Sequence, residues 1–142
     1  MDYEKYEEEA NKIRNENKNH LQKFEQWLRN TGITAKTVKK HIDNVDFYIN
    51  EFLLYYDADD YKTGCYRISS FLGDWFTRKA MWASCGNIKS NAASIKKFYM
   101  FMLESGEIEH MDYNFLCETI KTDMPEWLEN MIRFDEMIYD DF

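Results

Sequence analysis

Proline is almost missing from this sequence, with Pro125 alone, and glycine occurs only five times. So few breakers cannot supply the turns that a β-sandwich needs every 8–12 residues or so. No apolar run approaches the roughly 18–20 residues of a membrane-spanning helix. The opening Met-Asp-Tyr-Glu-Lys-Tyr-Glu-Glu-Glu is too acidic to read as a signal peptide. Cysteine is scarce: Cys65, Cys85 and Cys117 are odd in number and far apart, which fits neither a disulfide framework nor a CxxC metal site. They read as reduced thiols of a cytoplasmic protein, packed as small hydrophobes. There is also no Gly-rich phosphate loop, no nucleophile elbow and no zinc-finger spacing. Asp57, Asp59 and Asp60 resemble the start of an EF-hand, but its sixth position is Lys62 rather than Gly and its twelfth is Ile68 rather than Glu. Glu107-Ile-Glu-His110 is a single Glu-x-x-His where a di-iron bundle needs two. No metal, cofactor or small-molecule substrate is expected.

What the chain does have is apolar mass and segregated charge. At 142 residues, with 44% hydrophobic and 17% aromatic side chains, residues 1–142 read as one domain with an ample core. The net charge of −8 is unevenly spread: residues 1–20 are net −2, residues 21–106 net +3 and residues 107–142 net −9. A mildly basic middle followed by a strongly acidic end says more about partners than the total does.

Helix periodicity runs through almost the whole length, which predicts an all-α bundle. Tyr3, Tyr6, Ala10 and Ile13 form a sparse stripe that Leu21, Phe24 and Leu28 resume after the polar stretch 15–19. Gly32 is placed as a C-cap and Thr34 as the next N-cap. Val38, Ile42, Val45, Ile49, Phe52 and Tyr56 then mark a long second helix. Residues 57–64 read as a loop. A third helix points Ile68, Phe71, Leu72, Trp75 and Phe76 inward, and residues 84–87 connect it to a fourth. That helix carries Ile88, Ala92, Ile95, Tyr99, Met102 and Leu103 and stops at Gly106. Two shorter helices are expected near 112–121 and 124–139, the second opened by Asp123, Pro125 and Glu126 in a capping-box arrangement. The predicted core centres on Phe24, Val45, Trp75, Ile95 and Tyr99.

Three stretches carry a resemblance. Phe24-Glu-Gln-Trp-Leu28 with Gly32-Ile-Thr-Ala-Lys-Thr-Val38, then Phe71-Leu72 through Trp75-Phe76 and Arg78-Lys79, then Ile88-Lys89 and Ile95 to Met102 ending at Gly106, resemble the SAM-like core-binding domain of tyrosine recombinases (phage integrases). The likeness spans about residues 20–108. It implies a compact bundle of about four core helices, with extra helices at either end, that grips one side of duplex DNA with two helices at the major groove. In that family a separate domain, with an Arg, a His-x-x-Arg and a nucleophilic Tyr, does the chemistry. None of His20, His41 and His110 is followed by Arg three residues on. Tyr139 has the nucleophile's position but no cationic company to stabilise a transition state. A non-catalytic chain is expected, an accessory of a mobile element.

Two surfaces are candidates for binding. At 100° per residue, Lys36, Lys39 and Lys40 lie opposite the apolar stripe of the second helix, and Asp43 can neutralise part of that cluster. On the fourth helix Lys89, Ser90, Ala93, Ser94 and Lys97 share one face, with Lys96 at its flank. Small residues among lysines let a helix approach a phosphate backbone, and the lysines release counterions on contact. The other surface is the acidic end, where Trp127, Met131, Phe134 and Ile138 form a stripe that either docks on the bundle or binds a partner. Double-stranded DNA and a basic protein surface are thus the two partners in view. The resemblance and the basic middle favour DNA, while the total charge favours an acidic adaptor or inhibitor of a nucleic-acid enzyme.

Overall fold

The computed structural model describes residues 2–140, with side chains through Ile138. Among the described residues every regular element is helical. Helix α1 spans Tyr3–Asn30, and α2 spans Ala35–Asp46 and runs on through a π-helical stretch, Phe47–Phe52. A 3-10 turn at Thr63–Tyr66 precedes α3, which joins Ile68–Ser70, a π-helical Phe71–Trp75 and Phe76–Lys79. Helices α4, Cys85–Glu104, and α5, His110–Asp140, complete the bundle. Helix α4 is the central element, packed on α2 and α5 and touching α1, while α5 also covers α3.

The stop and start signals around α1, α2 and α4 act as expected. Gly32 and Gly106 adopt φ of 82° and 76° just past the ends of α1 and α4, a region that costs glycine no Cβ clash. Thr34 accepts from the Thr37 N–H at 3.2 Å and Ser84 from the Asn87 N–H at 3.1 Å, so α4 starts at Cys85, inside the expected connection. Phe24, Val45, Trp75, Ile95 and Tyr99 all lie in the core.

Three expectations need correction. The polar stretch 15–19 does not interrupt α1, because Asn17 is buried and its amide donates to the Ile49 carbonyl at 3.2 Å and to Asn50 Oδ1 at 2.8 Å. The wide π turn of α2, closed by Leu53 N–H to Tyr48 O, leaves the Ile49 carbonyl for that side chain. The same turn shifts the helical phase by about one residue, so Leu53 and Leu54 enter the interior and Tyr56 is left exposed. Finally, the two expected C-terminal helices are one, with Pro125 inside it. Asp123 is not its cap but accepts from Ser69 Oγ at 2.6 Å. An interior proline costs about 3 kcal/mol. The unbroken apolar row Leu116, Ile120, Met124, Trp127, Leu128 and Met131 packed on the core outweighs it.

Candidate nucleic-acid interface

Helices α2 and α4 pair along a polar seam. Asn44 Nδ2 donates to Ser90 Oγ at 3.2 Å and to Ser94 Oγ at 3.0 Å, and His41 Nδ1 lies 2.7 Å from Ser94 Oγ. Rising numbers on one helix meet falling numbers on the other, so the two run antiparallel. Exposed lysines lie along both helices. Lys36, Lys39 and Lys40 are exposed on α2, and Lys89, Ala93, Lys96 and Lys97 form the exposed stripe of α4. Lys40 and Lys97 stand on either side of the seam, near enough that both charges act on His41.

Ser94 is a correction to the expected contact set. It is completely buried, because α2 lies over the side of α4 that periodicity assigned to solvent. Ser90, half-buried and held by Asn44, stands at the seam's edge. Lys39 forms an ion pair with Asp43 at 2.8 Å. Among the described residues no carboxylate lies within ion-pair distance of Lys36, Lys40, Lys89, Lys96 or Lys97. Five cations on two adjoining helices are thus available to an external anion.

His41 Nδ1 and the Asn44 amide meet at Ser94 Oγ, which holds the imidazole within the seam. Desolvation, then the charges of Lys97 and Lys40, hold the His41 pKa below its ordinary 6.5. His20 is also lowered, first by desolvation, with Glu107 opposing. A histidine whose folded pKa is depressed takes its proton more readily in the unfolded chain. Stability is therefore complete above about pH 6.5 and falls as pH drops below it. The urea midpoint is expected to be lower at about pH 5.5 than at 7.5, and His41→Gln to lessen the difference. A midpoint that is equal at both pH values would mean that neither histidine is held neutral by the fold.

The acidic end divides in two. Trp127 and Met131 are 3% and 1% exposed: the indole lies on Gly73, and Met131 Sδ is 3.7 Å from Thr77 Oγ1. Phe134 is partly buried against the same core. These three are packing residues, which corrects their placement in a partner-binding stripe. Their row faces the joint of α3 and α4. Ile138 is exposed, along with Ile132 and Met137. The side chain of Tyr139 lies outside the described residues.

The other candidate sites resolve into local contacts. Asp59 pairs with Arg67 at 3.2 Å, Asp60 accepts from the Thr63 N–H at 3.0 Å and Glu107 from Tyr61 Oη at 3.0 Å. No group of three metal-ligating side chains occurs among the described residues. No described helix is long and apolar enough to cross a membrane.

Sequence reasoning missed His41 and Asn44, since one reads as core and the other as surface until α4 is laid beside them. It also missed Trp82, exposed in the turn before α4 and set edge-on to Phe47 at 5.4 Å. One signal was available: residues 75–103 hold no Asp or Glu, yet contain Arg78, Lys79, Lys89, Lys96 and Lys97. No family model, curated protein or solved structure matches the chain.

Proposed function

We propose that this chain is a non-catalytic DNA-binding module, as its resemblance to the recombinase core-binding domain implies, acting in the cytoplasm as an accessory of a mobile element. One observation carries the reading: α2 and α4 lie antiparallel in contact and carry Lys36, Lys40, Lys89, Lys96 and Lys97 exposed, without carboxylate partners among the described residues. Cations so placed gain affinity by releasing counterions from the phosphate backbone, and they position the protein without reading sequence. The non-catalytic part rests on the sequence, in which no histidine opens a His-x-x-Arg.

A titration of labelled duplex DNA at about 50 and 150 mM salt tests this, with an expected log–log slope of about −4 to −5 for five phosphate contacts. Binding is expected to depend little on base sequence. The second reading, an acidic interaction module, is favoured by the exposed Ile132, Met137 and Ile138 near Glu129, Asp135 and Glu136 on α5. No binding at the lower salt would sink the DNA reading and leave that surface as the working face.

A further inference from the structure

The turn between α3 and α4 displays two large apolar side chains in succession: Met81 is fully exposed and Trp82 is 57% exposed. Trp82 is nevertheless held in place. Its indole meets Phe47 at 5.4 Å and Phe76 at 6.4 Å, both edge-on, and its carbonyl accepts from Asn87 Nδ2 at 2.5 Å. Ala83 N–H to Ala80 O at 3.1 Å closes the turn beneath it. An indole anchored on one side and open on the other is a preformed surface, whose ordering is complete before anything binds.

Its position ties it to the basic seam. Phe47 is one helical turn beyond Asn44, which bonds Ser90, so Trp82 stands at the end of the α2–α4 seam, past Lys40 and Lys97. In sequence the acid-free stretch 75–103 flanks it with Arg78 and Lys79 before and Lys89 after, and Lys79 itself lies over the Tyr55 ring at 5.2 Å. The nearest acid in sequence, Asp74, is engaged by Arg78 at 2.9 and 3.0 Å. A chain with 26 acidic residues has kept them out of the sequence on both sides of this indole.

We propose that Trp82, with Met81 beside it, is a base-stacking platform: DNA seated on the seam places an unstacked nucleobase against the indole. This rests on the DNA-binding reading and narrows its partner. Every base has a π face, so stacking tolerates any sequence. An intact duplex hides those faces, so the partner is DNA with an interrupted stack, such as a gap or a junction. Exposed methionine wedges against bases at such steps. An anionic lipid surface would also accept an exposed tryptophan on a chain segment that carries cations and no acids. The extension of the lysines along two helices favours a linear polyanion instead.

The experiment titrates the full chain, at one salt concentration, with a labelled intact duplex and with the same duplex interrupted by a gap bordered by 2-aminopurine. The gapped DNA is expected to bind about 5- to 100-fold more tightly, with a change in 2-aminopurine emission. Trp82→Ala removes that preference and leaves the salt slope, whereas Trp82→Phe keeps most of it. Met81→Ala, at a fully exposed position that leaves folding intact, lowers the preference on its own and carries the test should Trp82→Ala unfold. Equal affinity for the two DNAs, or a gap preference that survives in Trp82→Ala or Met81→Ala, overturns the platform while DNA binding stands. No binding to either DNA overturns both readings. Capture by anionic phospholipid vesicles that depends on Trp82, with gapped DNA indifferent to it, makes the partner a membrane and also overturns the proposal.

Discussion

Trp127→Ala is expected to destabilise the protein by about 3–5 kcal/mol, the range for truncating a buried aromatic. The indole is 3% exposed and lies on Gly73, where a built Cβ would come within 2.9 Å of ring atom Cδ1. A glycine lets α3 and α5 approach closely, and Trp127 fills the joint. Removing the ring leaves a cavity that Gly73 cannot fill, beside Met131 and Thr77. Urea unfolding monitored by circular dichroism measures the loss, as a lower midpoint at unchanged slope. A change under about 1 kcal/mol would place Trp127 outside the core and restore it as a partner-binding residue. Gly73→Ala is a companion, since its methyl group displaces the same ring from the other side.

The joint replacement of Lys36, Lys40, Lys89, Lys96 and Lys97 by Gln is expected to lower affinity for DNA by about four to five orders of magnitude at about 0.1 M salt. The figure follows from a slope of about −4.5 carried to the 1 M reference at which counterion release contributes nothing. Stability should move little, because these side chains are exposed and have no ion-pair partner among the described residues. Each single change is expected within about 0.5 kcal/mol and to flatten the salt slope by about one unit. Lys39→Gln should flatten it less, since Asp43 already holds that charge at 2.8 Å. DNA binding that survives the five replacements would mean the seam is not the interface.

Local physics was legible in the sequence wherever one element decides its own shape. The 3-and-4 spacing of Val38, Ile42, Val45 and Ile49 sets a helix with one apolar face whatever packs on it. Gly32 and Gly106 end helices because positive φ is cheap for glycine. The lysines were legible as surface, since an unpaired charge is not buried. Asn17 and Ser94 were misread for one reason. Each is a polar side chain whose partner, Ile49 O or His41, is 32 or 53 positions away. Until the partner arrives such a residue reads as solvated, and once bonded it can be buried at little cost.

The sequence by itself determined the helical class, most helix ends and which segment is basic. Only the tertiary structure decided that α2 and α4 lie side by side, which brings two separate sets of lysines onto adjoining helices around His41. It alone decided that Pro125 sits within an unbroken α5, and that Trp127 and Met131 face α3 while Ile132, Met137 and Ile138 face solvent. The physical reason is that periodicity gives each helix an apolar face, a property of residues a few positions apart. The neighbour that covers that face is chosen by shape and hydrogen bonding between residues many positions apart. Proline's cost of about 3 kcal/mol is a local quantity, and the burial that offsets it is not.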